Sequence, residues 1–83
     1  EQFETGMMAG PKSGHDAGKV YVITKVEEAY VYLVDGKVRT LDKPKKKKKK
    51  HVQLIKGSFD IQGATDVDIK RWIKIWNKED NQN

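Results

Sequence analysis

The sequence predicts a mainly β domain, a small barrel of short strands closed by one C-terminal α-helix. Two runs rich in β-branched and aromatic residues, Val20–Val26 and Ala29–Val34, are typical of strands. Asp35-Gly36 follows the second run and predicts a tight hairpin, because a type I′ turn needs positive φ at both central positions. Near the C-terminus, apolar residues recur with the 3.6-residue period of a helix that is buried on one face.

The first strand has the weakest signal. Residues 1–6 are polar apart from Phe3 and are predicted to be a flexible lead-in. Met7–Ala9 is apolar and predicts a strand, which Gly10 and Pro11 should interrupt, because proline donates no hydrogen bond to a sheet. Two further strands are predicted at Lys37–Leu41, antiparallel to the second run, and at Val52–Ile55. The barrel is thus expected to span residues 7–55.

A helix is predicted at residues 65–77, after a loop at 56–64 and before a polar tail at 78–83. Thr65 can cap its N-terminus, with Asp68 three residues later as in a capping box. The apolar face consists of Ile69, Trp72, Ile73 and Trp76. We expect this face to pack on the barrel, with Phe59 and Ile61 tucked beneath the loop. An exposed aromatic surface for a protein partner, formed by the two tryptophans, is the alternative.

Composition argues against several classes of function. The chain of 83 residues has no cysteine and only two histidines, which are distant in sequence. A disulfide framework is therefore excluded, and neither a metal site nor a cofactor cavity is expected in so small a domain. No set of residues has the spacing of a catalytic site, so we expect no enzyme activity. Neither a membrane span nor a secretion signal is evident, which favours a cytoplasmic protein.

The basic charge is concentrated in one run, KPKKKKKKH, at Lys43–His51. The formal net charge is +5, and without the seven lysines of this run the remaining ten basic and twelve acidic residues leave −2. Adjacent ammonium groups repel one another, so we predict a lysine-rich exposed loop at 43–51 that binds a polyanion. A solvated loop without a partner, or a disordered targeting segment, is the alternative.

The choice of lysine indicates how such a polyanion would be bound. An ammonium group is a point charge without the planar fork of arginine, so it suits phosphates better than the edges of bases. Arg39 and Arg71 are the only guanidinium groups in the chain. The run therefore predicts recognition of shape and phosphate spacing rather than of a base sequence.

A glycine-containing segment, Lys12-Ser13-Gly14-His15-Asp16-Ala17-Gly18-Lys19, precedes the strand at Val20–Val26. Its glycines and short polar residues are typical of a turn with demanding backbone angles. Ser13, His15 and Asp16 are the residue types of a nucleophilic triad, but neighbours in one short loop cannot readily align as one. The simpler interpretation is a polar turn that offers its basic side chains to a phosphate.

The glycine segment and the strand after it resemble the KOW motif, a glycine-centred loop between two strands of an SH3-like barrel. The resemblance extends through Tyr30-Val31-Tyr32-Leu33-Val34-Asp35-Gly36-Lys37-Val38-Arg39 and Leu41-Asp42-Lys43-Pro44 to the lysines that end at His51. The chain is similar to short bacterial KOW-domain RNA-binding proteins, which are themselves similar to KOW-containing large-subunit ribosomal proteins. Gly18 matches the characteristic glycine of the motif, whereas His15 and Ala17 stand where basic residues are commoner. The resemblance implies an SH3-like (KOW) barrel that docks on structured RNA, with ribosomal RNA as the expected ligand.

Charge and resemblance together predict an RNA-binding surface at one end of the barrel. Its residues are Lys12, Ser13, Gly14, His15, Gly18, Lys19, Lys37, Arg39, Lys43, Lys45, Lys46, Lys47, Lys48, Lys49, Lys50 and His51. Tyr21, Tyr30 and Tyr32 could stack on unpaired bases, but tyrosines in so small a barrel more often pack in the core or at its rim. We expect a ribosome-associated protein that is monomeric when free, with ribosomal proteins as further candidate partners. A protein-interaction module of a ribosome or transcription complex, using the barrel or helix surface, is the alternative.

Overall fold

A computed structural model describes residues 2–13 and 18–80, the last two by their backbone alone. The strands are β1 (Met7–Pro11), β2 (Tyr21–Val26), β3 (Tyr30–Val34), β4 (Lys45–Lys48) and β5 (Val52–Ser58), followed by the helix α1 (Asp66–Asp80). A single 3-10 turn at Lys49–His51 links β4 to β5. The strands form one antiparallel sheet in the order β4-β3-β2-β1-β5.

The sheet curls into a small barrel because its two edge strands are joined by the short 3-10 turn. The N–H of Lys49 donates to the carbonyl of Ala29 (2.9 Å), and the N–H of Lys12 donates to the carbonyl of His51 (3.1 Å). These bonds hold the turn to the β2–β3 hairpin on one side and to the end of β1 on the other. The predicted fold class, a mainly β, small barrel-like domain with one C-terminal helix, is confirmed.

The two faces of the sheet bury separate groups of apolar side chains. The inner face contributes a fully or nearly fully buried cluster, comprising Ala9, Tyr21, Ile23, Val31, Leu33 and Val52. The other face contributes Val22 and Val34, which pack with Ile69 of α1. Because side chains alternate along a strand, neighbouring positions of β2 and β3 serve the barrel interior and the helix in turn.

The helix packs on the barrel through the face that the sequence predicts. Ile69 is fully buried, and Trp72 and Ile73 are half-buried against the same cluster. The ring of Trp72 stacks on Phe59 with 4.8 Å between centroids, and the Nε1–H of Trp76 donates to the carbonyl of Lys56 at 3.0 Å. The prediction that both tryptophans anchor the helix is therefore confirmed for their contacts within the chain.

The helix begins with the predicted capping box. The hydroxyl oxygen of Thr65 accepts a hydrogen bond from the N–H of Asp68 (3.2 Å), and the N–H of Thr65 donates to the Asp68 carboxylate (2.9 Å). Two donors that the helix itself leaves unpaired are satisfied reciprocally. The helix continues through Asp80, further than the predicted end at residue 77.

The predicted strand at Lys37–Leu41 is wrong, and so is the type I′ hairpin before it. Asp35 does not have positive φ, whereas Gly36 does (+79°). The Asp35 carboxylate accepts hydrogen bonds from the N–H groups of Lys37 and Arg39, both at 2.9 Å, and so folds the segment into a wide turn. Val38 is 79% exposed, so its apolar side chain contributes nothing to a sheet.

The strand that pairs with β3 comes instead from the lysine run, so the predicted loop at 43–51 is also wrong. Lys45–Lys48 form β4, which pairs antiparallel with β3 so that Lys45 lies opposite Leu33 and Lys48 opposite Tyr30. Lysine is disfavoured in strands, but an edge strand tolerates it because charged side chains there reach water.

The outer ends of the remaining strands also differ from prediction. β1 continues through Gly10 and Pro11, because beyond Ala9 it pairs with β5 alone and a missing proline N–H can be accommodated on the side without a partner. β5 continues to Ser58, which shortens the predicted loop at 56–64. The described part of the predicted lead-in contacts the barrel, since Phe3 packs against the inner cluster and Gly6 hydrogen bonds to Ile23 and Phe59.

Candidate functional site

The lysines of β4 divide between two faces of the sheet. Lys45 lies opposite Leu33 and Lys47 opposite Val31, so both belong to the inner, apolar face and are half-buried. Lys46 and Lys48 lie opposite Tyr32 and Tyr30 on the outer face and are exposed. The aliphatic stems of the inner pair can cover the barrel interior while their ammonium groups reach water. The run of identical residues therefore places every second ammonium group of β4 on the outer face of the sheet.

Aromatic rings lie beneath several of these ammonium groups. The Nζ of Lys46 is 4.4 Å from the ring centroid of Tyr30 and 5.8 Å from that of Tyr32. The Nζ of Lys45 is 5.9 Å from the ring of Tyr21, which is buried in the barrel. Each such contact stabilises an exposed cation by about 0.5–1 kcal/mol. The rings therefore offset part of the repulsion within the run and favour the observed positions of the Lys45 and Lys46 ammonium groups.

One carboxylate, that of Glu27, partly compensates the outer face. Its Oε1 is 4.0 Å from the Nζ of Lys46 and accepts a hydrogen bond from the hydroxyl of Tyr32 at 3.3 Å. Its Oε2 is 3.6 Å from the Nζ of Lys25. Ion pairs this exposed contribute about 0–1 kcal/mol, so a phosphate can compete with Glu27 for Lys46 at little cost.

The 3-10 turn brings the end of the lysine run to the start of the glycine segment. The backbone hydrogen bond from Lys12 to His51 places these two predicted site residues side by side, and both are exposed. Gln53 reinforces the junction by donating from Nε2 to the carbonyl of Pro11 at 3.3 Å. The sequence predicts that the lysine run and the glycine segment lie at one end of the barrel. The contact between Lys12 and His51 agrees with this prediction.

Within the glycine segment, Gly14 and His15 lie outside the described residues. Ser13 and Lys19 are exposed. Gly18 has φ of +91°, a conformation that side-chain-bearing residues rarely adopt, and the space around its α-carbon is open. The demanding backbone conformation predicted for the glycine segment is present at Gly18, and the open space leaves room for another chain to approach the backbone.

The other predicted site residues are dispersed. Lys37 and Arg39 belong to the wide turn after β3, not to a strand leading to the lysine run, and both are exposed. Lys43 is exposed in the segment between that turn and β4, where its N–H donates to the carbonyl of Thr40. Lys37 stands with Lys19 beside α1, apart from the residues of β4.

Three basic residues of α1 were not among the predicted site residues. Lys70, Arg71 and Lys74 line an open groove of about 860 Å³ together with Lys19 and Lys37. The sequence carries a signal for them, because the helix has no acidic residue between Asp68 and Glu79. That signal concerns the helix alone. The other wall of the groove comes from segments more than thirty residues earlier in the chain, so the sequence does not show that the two walls meet.

No protein-family model matches the chain, and no curated protein matches it significantly. Among the residues that the structure describes, no helix is long and apolar enough to cross a membrane.

Proposed function

We propose that this protein binds structured RNA through its phosphates, and that it does so as a KOW-type, ribosome-associated RNA-binding protein. The observation that carries the proposal is the row of exposed ammonium groups on the outer face of β4, at Lys46 and Lys48, followed by the exposed Lys50 in the 3-10 turn. Alternate residues of a strand are about 7 Å apart, close to the separation of successive phosphates along a nucleic-acid strand. Such a row neutralises several phosphates and releases their counterions.

The chemistry of the row favours phosphate contacts over base reading. Within β4 and the turn, ammonium groups supply the cationic charge and no guanidinium fork is present. Backbone phosphates position a protein on RNA without specifying sequence. Support for RNA over DNA comes from the KOW resemblance, and the SH3-like barrel is the fold that this resemblance implies.

A purely structural role for the lysines of β4 is the alternative to RNA binding. β4 is an edge strand, and lysines on an edge prevent the sheet from pairing with another copy. That role requires charge but no RNA, so it predicts aggregation rather than loss of RNA affinity when the charges are removed. The two roles are separable by experiment.

The protein-interaction alternative is less well supported. Trp72 is engaged by Phe59, and Trp76 by the carbonyl of Lys56, so the two indoles are used in holding the helix. Val67 and Ile75 remain exposed on α1, and Ile75 lines a depression of only about 140 Å³ with Phe59, Trp72 and Trp76. An apolar surface this small is normal on a protein and does not by itself indicate a partner.

The direct test replaces Lys46 to Lys49 by glutamine and measures affinity for a folded ribosomal RNA fragment over a range of salt. The intact protein should show a linear fall of log affinity with log salt, and the variant should bind more weakly with a slope flatter by about one unit for each lost phosphate contact. The affinities for unrelated folded RNAs should fall by similar factors, since phosphates carry little sequence information.

Sedimentation of the intact protein with ribosomal subunits at moderate salt tests the ribosomal part of the proposal. A variant that keeps both its RNA affinity and its salt slope would refute the role of the lysines. A variant that aggregates but still binds RNA normally would assign the run to edge protection.

A further inference from the structure

A second basic surface lies between α1 and the barrel, and none of its lining residues belongs to β4. Lys19 and Lys37 stand on the barrel side, while Lys70, Arg71 and Lys74 stand on the helix. All five side chains are exposed at the mouth of an open groove of about 860 Å³. The groove is therefore accessible to a ligand much larger than a single ion.

The two walls are held together by close backbone contact. Gly36 packs directly against the first turn of α1, where a β-carbon at position 36 would overlap the carbonyl of Asp66 and lie 2.8 Å from the nitrogen of Lys70. The N–H of Leu41 also donates to the Asp66 carboxylate at 2.8 Å. The wide turn that carries Lys37 is thus fixed beside the helix residues that face it.

Cationic side chains predominate in the lining of the groove. Arg71 is 4.0 Å from the Asp68 carboxylate, whereas Lys37 on the barrel side and Lys70 and Lys74 on the helix face a lining with one carboxylate, that of Asp35. The Asp35 carboxylate already accepts two backbone hydrogen bonds within its own turn. On the helix, Lys70 and Lys74 are four residues apart, a spacing at which like charges destabilise a helix. A bound polyanion would relieve this repulsion.

A shallow depression extends from the groove towards the end of the lysine run. It shares Lys19 and Asn77 with the groove and extends past Gly18 to Pro11 and Gln53. Gln53 is hydrogen bonded to Pro11, the residue before the Lys12–His51 contact. The depression is lined by glycine, polar and apolar residues, with no described acidic side chain among them, and it ends next to the segment that contacts the lysine run.

We propose that this groove is a second site for the RNA phosphate backbone, so that one RNA contacts β4 and the groove at the same time. The inference rests on the proposed function. Cations on two facing walls suit an extended phosphodiester chain, and the apolar side chains of Val20 and Ile73 in the lining can contact its sugars. An acidic peptide is the competing ligand that the experiment separates from RNA.

The test compares two double variants that remove the same charge from the same protein. The groove variant carries Lys70→Gln and Lys74→Gln, and the control carries Lys56→Gln and Lys78→Gln, whose side chains are exposed outside the groove. With a stem-loop RNA that has a single-stranded flank, the groove variant should bind about tenfold more weakly, with a salt slope flatter by up to about two units. The control should stay within about twofold of the intact protein.

Two further measurements complete the test. The melting temperature of the groove variant should be unchanged or higher, because a like-charge pair is removed. In the intact protein, amide resonances of Lys70, Lys74 and Lys37 should shift when the RNA is added, and a polyglutamate peptide at equal concentration should leave them in place.

The outcomes separate this inference from the proposed function. If the Lys46–Lys49 glutamine variant loses affinity while the groove variant matches its control, the groove inference is overturned and the proposed function stands. If only the groove variant loses affinity, the groove is the main site and the role of β4 is overturned. If polyglutamate shifts the groove resonances and RNA does not, the groove takes acidic protein segments and the inference fails.

Discussion

The ammonium group of Lys46 stands 4.4 Å from the centre of the Tyr30 ring, across β3 and β4 of the same sheet. This contact assigns Lys46 to the outer face, whereas its neighbours Lys45 and Lys47 face the barrel interior. Adjacent lysines therefore lie in different environments, and a different contribution of each pair to RNA affinity can be measured.

Glutamine at Lys46 and Lys48 should reduce RNA affinity more than glutamine at Lys45 and Lys47, although each pair removes two charges. The outer pair is exposed to a ligand, whereas the inner pair is half-buried beside Val31 and Leu33. We expect the outer variant to flatten the salt slope by up to about two units and the inner variant by less. Binding isotherms at several salt concentrations check this, and equal slopes for the two variants would contradict it.

Gly36→Ala should destabilise the protein more than Gly63→Ala. Both glycines have positive φ, +79° and +76°, so each substitution introduces backbone strain of about 1–2 kcal/mol. At Gly36 the new methyl group would also overlap the backbone of Asp66 and crowd Lys70, whereas at Gly63 the space is open. Urea denaturation of both variants measures the difference, and equal losses would show that the turn does not pack tightly on the helix.

Thr65→Ala should lower the free energy of unfolding by about 1 kcal/mol, because it removes the oxygen that caps the N–H of Asp68. Thr65→Ser is the matched control, since it keeps the hydroxyl and loses only a methyl group. Thermal unfolding of the two variants is sufficient to distinguish them. A serine variant as unstable as the alanine variant would attribute the effect to packing rather than to capping.

The capping box should also give stability a dependence on acid pH. Hydrogen bonds from the N–H and hydroxyl groups of Thr65, assisted weakly by Arg71, lower the pKa of Asp68 from its ordinary 3.8. A carboxyl with a lowered folded pKa contributes stability that is present above its unfolded pKa and is lost as the pH falls through the folded value. The contribution should therefore be complete at neutral pH and decline below about 3.8.

Asp68→Asn tests this dependence, because asparagine cannot ionise. The difference in melting temperature between the intact protein and the variant should shrink as the pH falls below the ordinary carboxyl pKa. A difference that is constant with pH would mean that the charge of Asp68 is irrelevant to the cap.

The elements that could be predicted from sequence are those with local signals. The runs containing β2 and β3 consist of β-branched and aromatic residues, and α1 has both a cap and an apolar period. The lysine strand has neither signal, because a run of one residue type has no alternation to detect. Its conformation is imposed by hydrogen bonding to β3, a tertiary effect that overrides the low β propensity of lysine.

The candidate site was predictable only in part for a related reason. The lysine run is visible in the sequence as a single block of charge. The groove draws Lys19, Lys37 and Lys70 from three separate segments, and the packing of the barrel and of the turn at Gly36 on α1 brings them together. The sequence predicts Lys19 and Lys37 as site residues, but no local pattern places Lys70 beside them.

The attachment of α1 has a consequence for how unfolding can be observed. Both tryptophans of the chain, Trp72 and Trp76, lie on this helix, one stacked on Phe59 and the other hydrogen bonded to Lys56. Indole fluorescence therefore reports release of the helix, while hydrogen exchange at the amides of β1 and β2 reports opening of the barrel. Emission that changes before those amides lose protection would reveal a barrel that persists with its helix detached, and coincident transitions would define one cooperative unit.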